Sequence, residues 1–128
     1  VGTGSLAGMR VLHEFGATVC RWPFEKIIEK QLTLVEIFPS FYFALSGIKT
    51  AKGNQAKIEM LNKALSFFNS DQLPDEFIIK GPDFDEADAI ISAAAIRALS
   101  ARKKTWEVPD AANHEGWIFG VEYDNNLL

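Results

Sequence analysis

The sequence predicts an α/β domain, and three stretches predict it. Leu32 to Phe38 is β-branched and aromatic and is closed by Pro39, the pattern of a strand. Residues 54–69 place Ile58, Leu61, Leu65 and Phe68 on one helical stripe. Residues 85–103 open with acids and continue as a long, alanine-rich apolar helix. Strands alternating with helices imply that part of the sheet is parallel.

At 128 residues the chain suits one domain, 1–128, rather than two. The formal net charge of −4 means that the whole-protein field does not favour a polyanion, so nucleic-acid binding would need a local basic patch or bound metal ions. A single cysteine, Cys20, excludes an internal disulfide framework and fits a reducing, cytoplasmic setting. No apolar run approaches membrane-spanning length, and no signal segment opens the chain, so no membrane partner is expected. The chain opens Val1-Gly2-Thr3-Gly4-Ser5 without an initiating methionine, which reads as a processed chain or the back part of a longer protein.

In order, Ser5 is placed to cap a helix carrying Leu6, Met9, Leu12 and Phe15 near helical spacing, so that one face lies on a core; Gly16 stops it. Ala17 to Trp22 reads as a short strand closed by Pro23, and residues 24–30 fit either a helical turn or a short strand. The Leu32–Phe38 strand is apolar almost throughout, as for a central strand covered on both faces; Glu36 is the acid inside it. A short helix at 40–46 ends at Gly47, and residues 49–57 form a basic loop leading into the helix at 54–69. Residues 70–80 connect, with an apolar patch at 77–79, and Gly81-Pro82 breaks the chain. Asp85 then caps the last long helix, expected to be buried nearly all round, with Arg102, Lys103 and Lys104 at its negative dipole end. Val108-Pro109 opens a loop, and Glu115 to Val121 reads as a last strand or edge segment. Two or three strands are thin cover for helices this apolar. The reading therefore expects N-terminal strands outside this chain, or a partner such as a second copy, to cover the sheet.

Asp85 and Asp88 stand three apart at a helix start, so both face roughly one way. Two readings are open. In one they serve the helix, Asp85 bonding the free N–H groups and both acids meeting the positive dipole end. In the other their oxygens hold a hard divalent cation for phosphoryl chemistry, with a further carboxylate brought from elsewhere, for which Glu36 is the candidate. Glu36 alone is equally well a strand residue facing solvent or a lysine.

Asp85-Glu86-Ala87-Asp88-Ala89-Ile90-Ile91 resembles the D-x-x-D-A plus apolar-helix motif that closes the active site of RNase H-like nucleases, a motif Holliday-junction resolvases also carry. Gly2 to Arg10 resembles the segment before the first long helix of one branch, the predicted RNase H-like nuclease family, long listed as a domain of unknown function. Val35-Glu36-Ile37-Phe38-Pro39-Ser40 is similar to its E-[VI]-[HYF]-P strand end, and Glu115-Gly116-Trp117-Ile118 to its E-G-W-I segment. The four lie in family order. The resemblance implies a mixed five-stranded sheet flanked by helices, with Glu36, Asp85 and Asp88 as catalytic acids holding Mg²⁺ or Mn²⁺, and a nucleic acid as substrate. It assigns Glu86 no role. The family's first catalytic aspartate lies on a strand upstream of the matched segments. The chain is thus expected to be the C-terminal part of such a fold, one metal ligand short and inactive by itself.

Two further readings compete: a non-catalytic interaction or oligomerisation module of the same fold, and a related ATP-using kinase or chaperone type, which the lack of a convincing phosphate-binding glycine pair near an aspartate disfavours. Elsewhere, His13 and His114 have no second histidine at ligand spacing, and Cys20 beside Arg21 is expected as a small strand residue rather than a reactive thiol. Gly2-x-Gly4 fits a tight turn before the first helix better than a phosphate cradle. Lys49, Lys52, Lys57 and Lys63 read as a solvated face, and Trp22, Trp106 and Trp117 as core or interface anchors.

Overall fold

A computed structural model describes residues 3–29, 31–49, 57–79 and 84–123, the side chains of residues 3–6 excepted. In chain order its elements are α1 (Thr3–Phe15), a 3₁₀ turn (Gly16–Thr18), β1 (Val19–Arg21), β2 (Leu32–Leu34), α2 (Pro39–Leu45), α3 (Ile58–Phe67), α4 (Asp85–Ser100), a 3₁₀ turn (Lys103–Trp106) and α5 (Ala112–Glu115). The class is α/β, as expected: helices with a two-stranded parallel sheet. The chain divides into two compact units, Val1–Glu36 with Pro109–Trp117, and Ile37–Val108 with Ile118–Leu128.

The first unit holds α1, the sheet and α5. β1 and β2 pair with Val19 opposite Leu32 and Arg21 opposite Leu34, and the ladder continues as Trp22 N–H donates to Leu34 O at 3.0 Å. The β1 end is fixed by Glu25, whose carboxylate accepts from the Arg21 backbone N–H (2.8 Å) and from Arg21 Nε (3.0 Å) and Nη2. That guanidinium holds the Glu25 carboxyl below the usual glutamate range. Residues 22–24 turn, closed by Glu25 N–H donating to Arg21 O at 3.0 Å, and residues 26–28 are coil, so of the stretch read as a helical turn or short strand the described residues 24–29 form no strand.

Three expectations fail in this unit. The strand read as 32–38 is regular only at 32–34, and Leu32 is 61% exposed, so it is not covered on both faces among the described residues. α1 forms and stops at Phe15 as expected, with Gly16 at φ +53°, but it starts at Thr3, so Ser5 lies within it rather than capping it, and among the described side chains no face of it lies on a core. Of its residues 7–15 all but Leu12 are exposed, Met9 and Val11 among them. The segment read as a last strand or edge segment, Glu115 to Val121, forms no regular strand: Glu115 ends α5, Gly116 stands at φ +83°, Ile118 is a single bridge residue and residues 119–120 turn.

The second unit is helical and holds most of the core. Its stripe of Leu61, Leu65 and Phe68 on α3 is buried as the spacing predicts, and α2 adds Tyr42 and Phe43. Both helices pack on α4, which offers Ala87, Ile91, Ala94, Ala95 and Leu99. The small alanines let neighbouring backbones approach closely. α4 is not buried all round, however: Ala89 and Ala93 are exposed, and the helix ends at Ser100 rather than Lys103. The C-terminal end of α3 is closed by Arg97 of α4. Its Nη2 donates to Phe68 O (2.9 Å), Asn69 O (2.6 Å) and Ser70 Oγ (2.9 Å), with Asn69 in the left-handed conformation at φ +51°. Asn62 ties the following connection to α3, accepting from Leu73 N–H at 2.8 Å and donating to Leu73 O at 3.1 Å. Trp106 donates its indole N–H to Ser100 O (2.9 Å) and packs edge-on against Phe119 at 4.8 Å between ring centroids, so it anchors this core as expected.

Candidate carboxylate site at the start of α4

The start of α4 is built differently from the capped start that the sequence suggests. The N-cap residue is Phe84, not Asp85, and its backbone is left-handed (φ +61°, ψ +18°). A bulky residue in that region is costly, of order 1 kcal/mol or more, and needs the surrounding structure to hold it. Phe84 O accepts the first helical bond from Asp88 N–H at 3.0 Å. Asp85 is therefore the first helical residue, and its carboxylate caps nothing among the described residues. Both acids, with Glu86, still occupy the first turn, where the helix dipole favours negative charge.

Asp85 and Asp88 are brought together, one turn apart on α4. Asp85 is exposed and Asp88 half-buried. The proximity shows in the chemistry: burial, reinforced by the charge of Asp85, raises the Asp88 carboxyl above the ordinary aspartate value. Two like charges held one turn apart repel, and a cation between or beside them would relieve the repulsion. The donor set fits a hard divalent ion, since Mg²⁺ is commonly held by one or two carboxylates with water or phosphate oxygens filling its other positions.

Glu36 lies in the other unit, just past β2. It is exposed and makes no ion pair among the described residues, which fits a solvent-facing strand-end residue. With Leu12, Trp22, Phe24, Leu34 and Arg21 it lines an apolar cavity of about 310 Å³. Gly116 closes in here: a Cβ on it would stand 3.4 Å from Phe24 Cζ and 3.8 Å from Glu36 Oε2. Among the described residues no group of three or more His, Cys, Asp or Glu side chains comes together to hold a metal ion. What α4 assembles is a pair.

The remaining candidates are placed simply. His13 and His114 are exposed. Cys20 is buried in β1, its thiol donating to Glu25 O at 3.5 Å, which is the structural role expected of it. Lys49, Lys57 and Lys63 are exposed, while Lys52, Gly2 and the Gly81-Pro82 break lie outside the described residues. Trp22 is buried, and Trp117 is half-buried. The left-handed Phe84 carried no signal in the sequence, because phenylalanine rarely adopts that conformation and no local pattern announces it.

No family model, curated protein or solved structure matches the chain. No described helix is long and apolar enough to cross a membrane.

Proposed function

We propose that Asp85 and Asp88 are the divalent-cation ligands of an RNase H-like, metal-dependent phosphodiester hydrolase acting on nucleic acid. The observation that carries this reading is the carboxylate pair at the start of α4, one member exposed and the other half-buried. The left-handed Phe84 immediately before it adds support, since strained backbone clusters at functional sites. In this role Asp88 is the more deeply set ligand and fixes position, while Asp85 reaches the cation from the solvent side. Bound Mg²⁺ or Mn²⁺ would supply a lowered water pKa and neutralise charge developing on the phosphodiester. The half-buried setting of Asp88 limits water around its carboxylate and so strengthens its hold on a cation.

The test is Mn²⁺ binding followed by electron paramagnetic resonance, together with Mg²⁺-dependent cleavage of single- and double-stranded DNA and RNA oligonucleotides by a chain extended at its N-terminus. The expected result is saturable Mn²⁺ binding that Asp88→Asn weakens tenfold or more. Equal Mn²⁺ affinity in Asp88→Asn, or cleavage unchanged by it, removes that residue from the mechanism.

A second reading is favoured by a different observation. In the first unit Met9, Val11, Phe15, Phe24, Ile28 and Leu32 are all exposed, and the sheet has two strands among the described residues. A two-stranded sheet is marginal without further cover, so a non-catalytic interaction or oligomerisation role would bury these side chains. Sedimentation over a concentration series separates the readings: a monomer at all concentrations with a cooperative melt counts against self-association.

A further inference from the structure

The helical unit contains an apolar groove remote in sequence from the acids. Phe41 and Leu45, one turn apart on α2, form one wall, and Phe67 at the end of α3 and Leu99 near the end of α4 form others. Gly120 to Glu122 close it, and Arg102 stands at its rim. The cavity measures about 380 Å³, within the range of small-molecule sites. Its floor at Gly120 is bare backbone: φ is +93°, and a Cβ there would come 2.7 Å from Leu99 Cδ1 and 3.7 Å from Phe41 Cε1.

Two features point to an occupant. Phe67 is 52% and Leu45 38% exposed, so the walls present aromatic and aliphatic surface to whatever enters. The polar groups at the rim are unequal. Glu122 is paired with Lys104 at 3.0 Å, whereas the Arg102 guanidinium makes no ion pair or side-chain hydrogen bond among the described residues. The carbonyl end of α4 carries partial negative charge, which the full positive charges of Arg102 and Lys103 just beyond it outweigh. A planar guanidinium matches a carboxylate bidentately.

We propose that this groove binds a small monocarboxylate with an aromatic or branched aliphatic body, the body against Phe41, Leu45 and Phe67 and the carboxylate on Arg102. The site is separate from the α4 carboxylate pair and does not depend on its role.

The test uses 3-phenylpropionate and its uncharged amide, titrated into the full chain and followed by ¹H–¹⁵N correlation spectra. Saturable shifts are expected at Gly120, Val121, Leu99 and Arg102, with the acid binding at least tenfold more tightly than the amide. Arg102→Gln should erase that preference while leaving amide binding unchanged. Phe67→Ala, at a half-exposed position that does not threaten the fold, should weaken both ligands. Absence of saturable shifts at these positions up to 10 mM (about the weakest binding worth calling a site) overturns the proposal. Equal binding of acid and amide, or an Arg102→Gln variant that keeps the preference, overturns it as well and leaves a merely apolar surface.

Discussion

The phenol of Tyr42 on α2 donates a 2.8 Å hydrogen bond to the main-chain carbonyl of Phe119, and both residues are fully buried. One contact thus fixes the first helix of the second unit to the segment that closes it. Tyr42 also meets Phe68 edge-on at 6.5 Å between centroids, so its ring packs while its hydroxyl satisfies a carbonyl that has no access to water.

Tyr42→Phe keeps the ring and removes the donor to that carbonyl. The expected cost is about 0.5–1.5 kcal/mol, the net worth of one hydrogen bond, read as a lower denaturant midpoint with an unchanged slope. Burial also raises the Tyr42 hydroxyl from 10 to about 12. A folded value above the unfolded one means that this contribution is complete below pH 10 and is lost as pH rises through the folded value. The parent should therefore lose stability relative to Tyr42→Phe between about pH 10 and 12, and parallel alkaline denaturation curves would contradict this.

Arg97 is the cap of a helix to which it does not belong. Arg97→Ala removes the donor shared by Phe68 O, Asn69 O and Ser70 Oγ and should destabilise the protein by about 1–2 kcal/mol, with the loss of amide protection concentrated at the end of α3. Arg97→Lys keeps the charge but not the fork, and should restore only part of it. Uniform loss of protection across the second unit would show that the contact is not local.

Asp88 carries a stability cost at neutral pH. Its carboxyl is raised by burial and by Asp85, so the charged form is the disfavoured one in the folded state. With the folded value above the unfolded one, the stabilising contribution is present below the ordinary aspartate value of 3.8 and is lost as pH rises through the folded value. In chelator-treated buffer, Asp88→Asn should accordingly melt at or slightly above the parent at pH 7, with the difference closing as pH falls below 3.8. Added Mn²⁺ should raise the parent's melting temperature and leave that of Asp88→Asn unmoved, because an ion that binds only the folded state stabilises it by mass action.

Much of the helical unit was legible in the residues. The stripe of Ile58, Leu61, Leu65 and Phe68 announced α3 and its buried face, and Pro39 with Gly47 bracketed α2. The acids one turn apart at 85 and 88 were equally visible, since i,i+3 spacing on a helix is a local property. The errors share a cause. The exposed α1 has the same apolar spacing that a packed helix would have, and the Glu115–Val121 run has strand-like residues that Gly116 interrupts at φ +83°. Periodicity says which face a helix would bury and says nothing of whether a partner is there.

The sequence by itself determined the α/β class, the place of most helices, the start of the parallel strands and the acidic opening of α4. These depend on spacing, on β-branched content and on where proline and glycine stand, all of which act within a few residues. Only the tertiary structure decided that Phe84 rather than Asp85 is the N-cap of α4, that Arg97 closes α3, that Tyr42 holds Phe119, and that Arg102 rims an apolar groove. Each joins groups far apart in the chain or sets a backbone angle against its residue's own preference. Such outcomes follow from packing that no local pattern encodes.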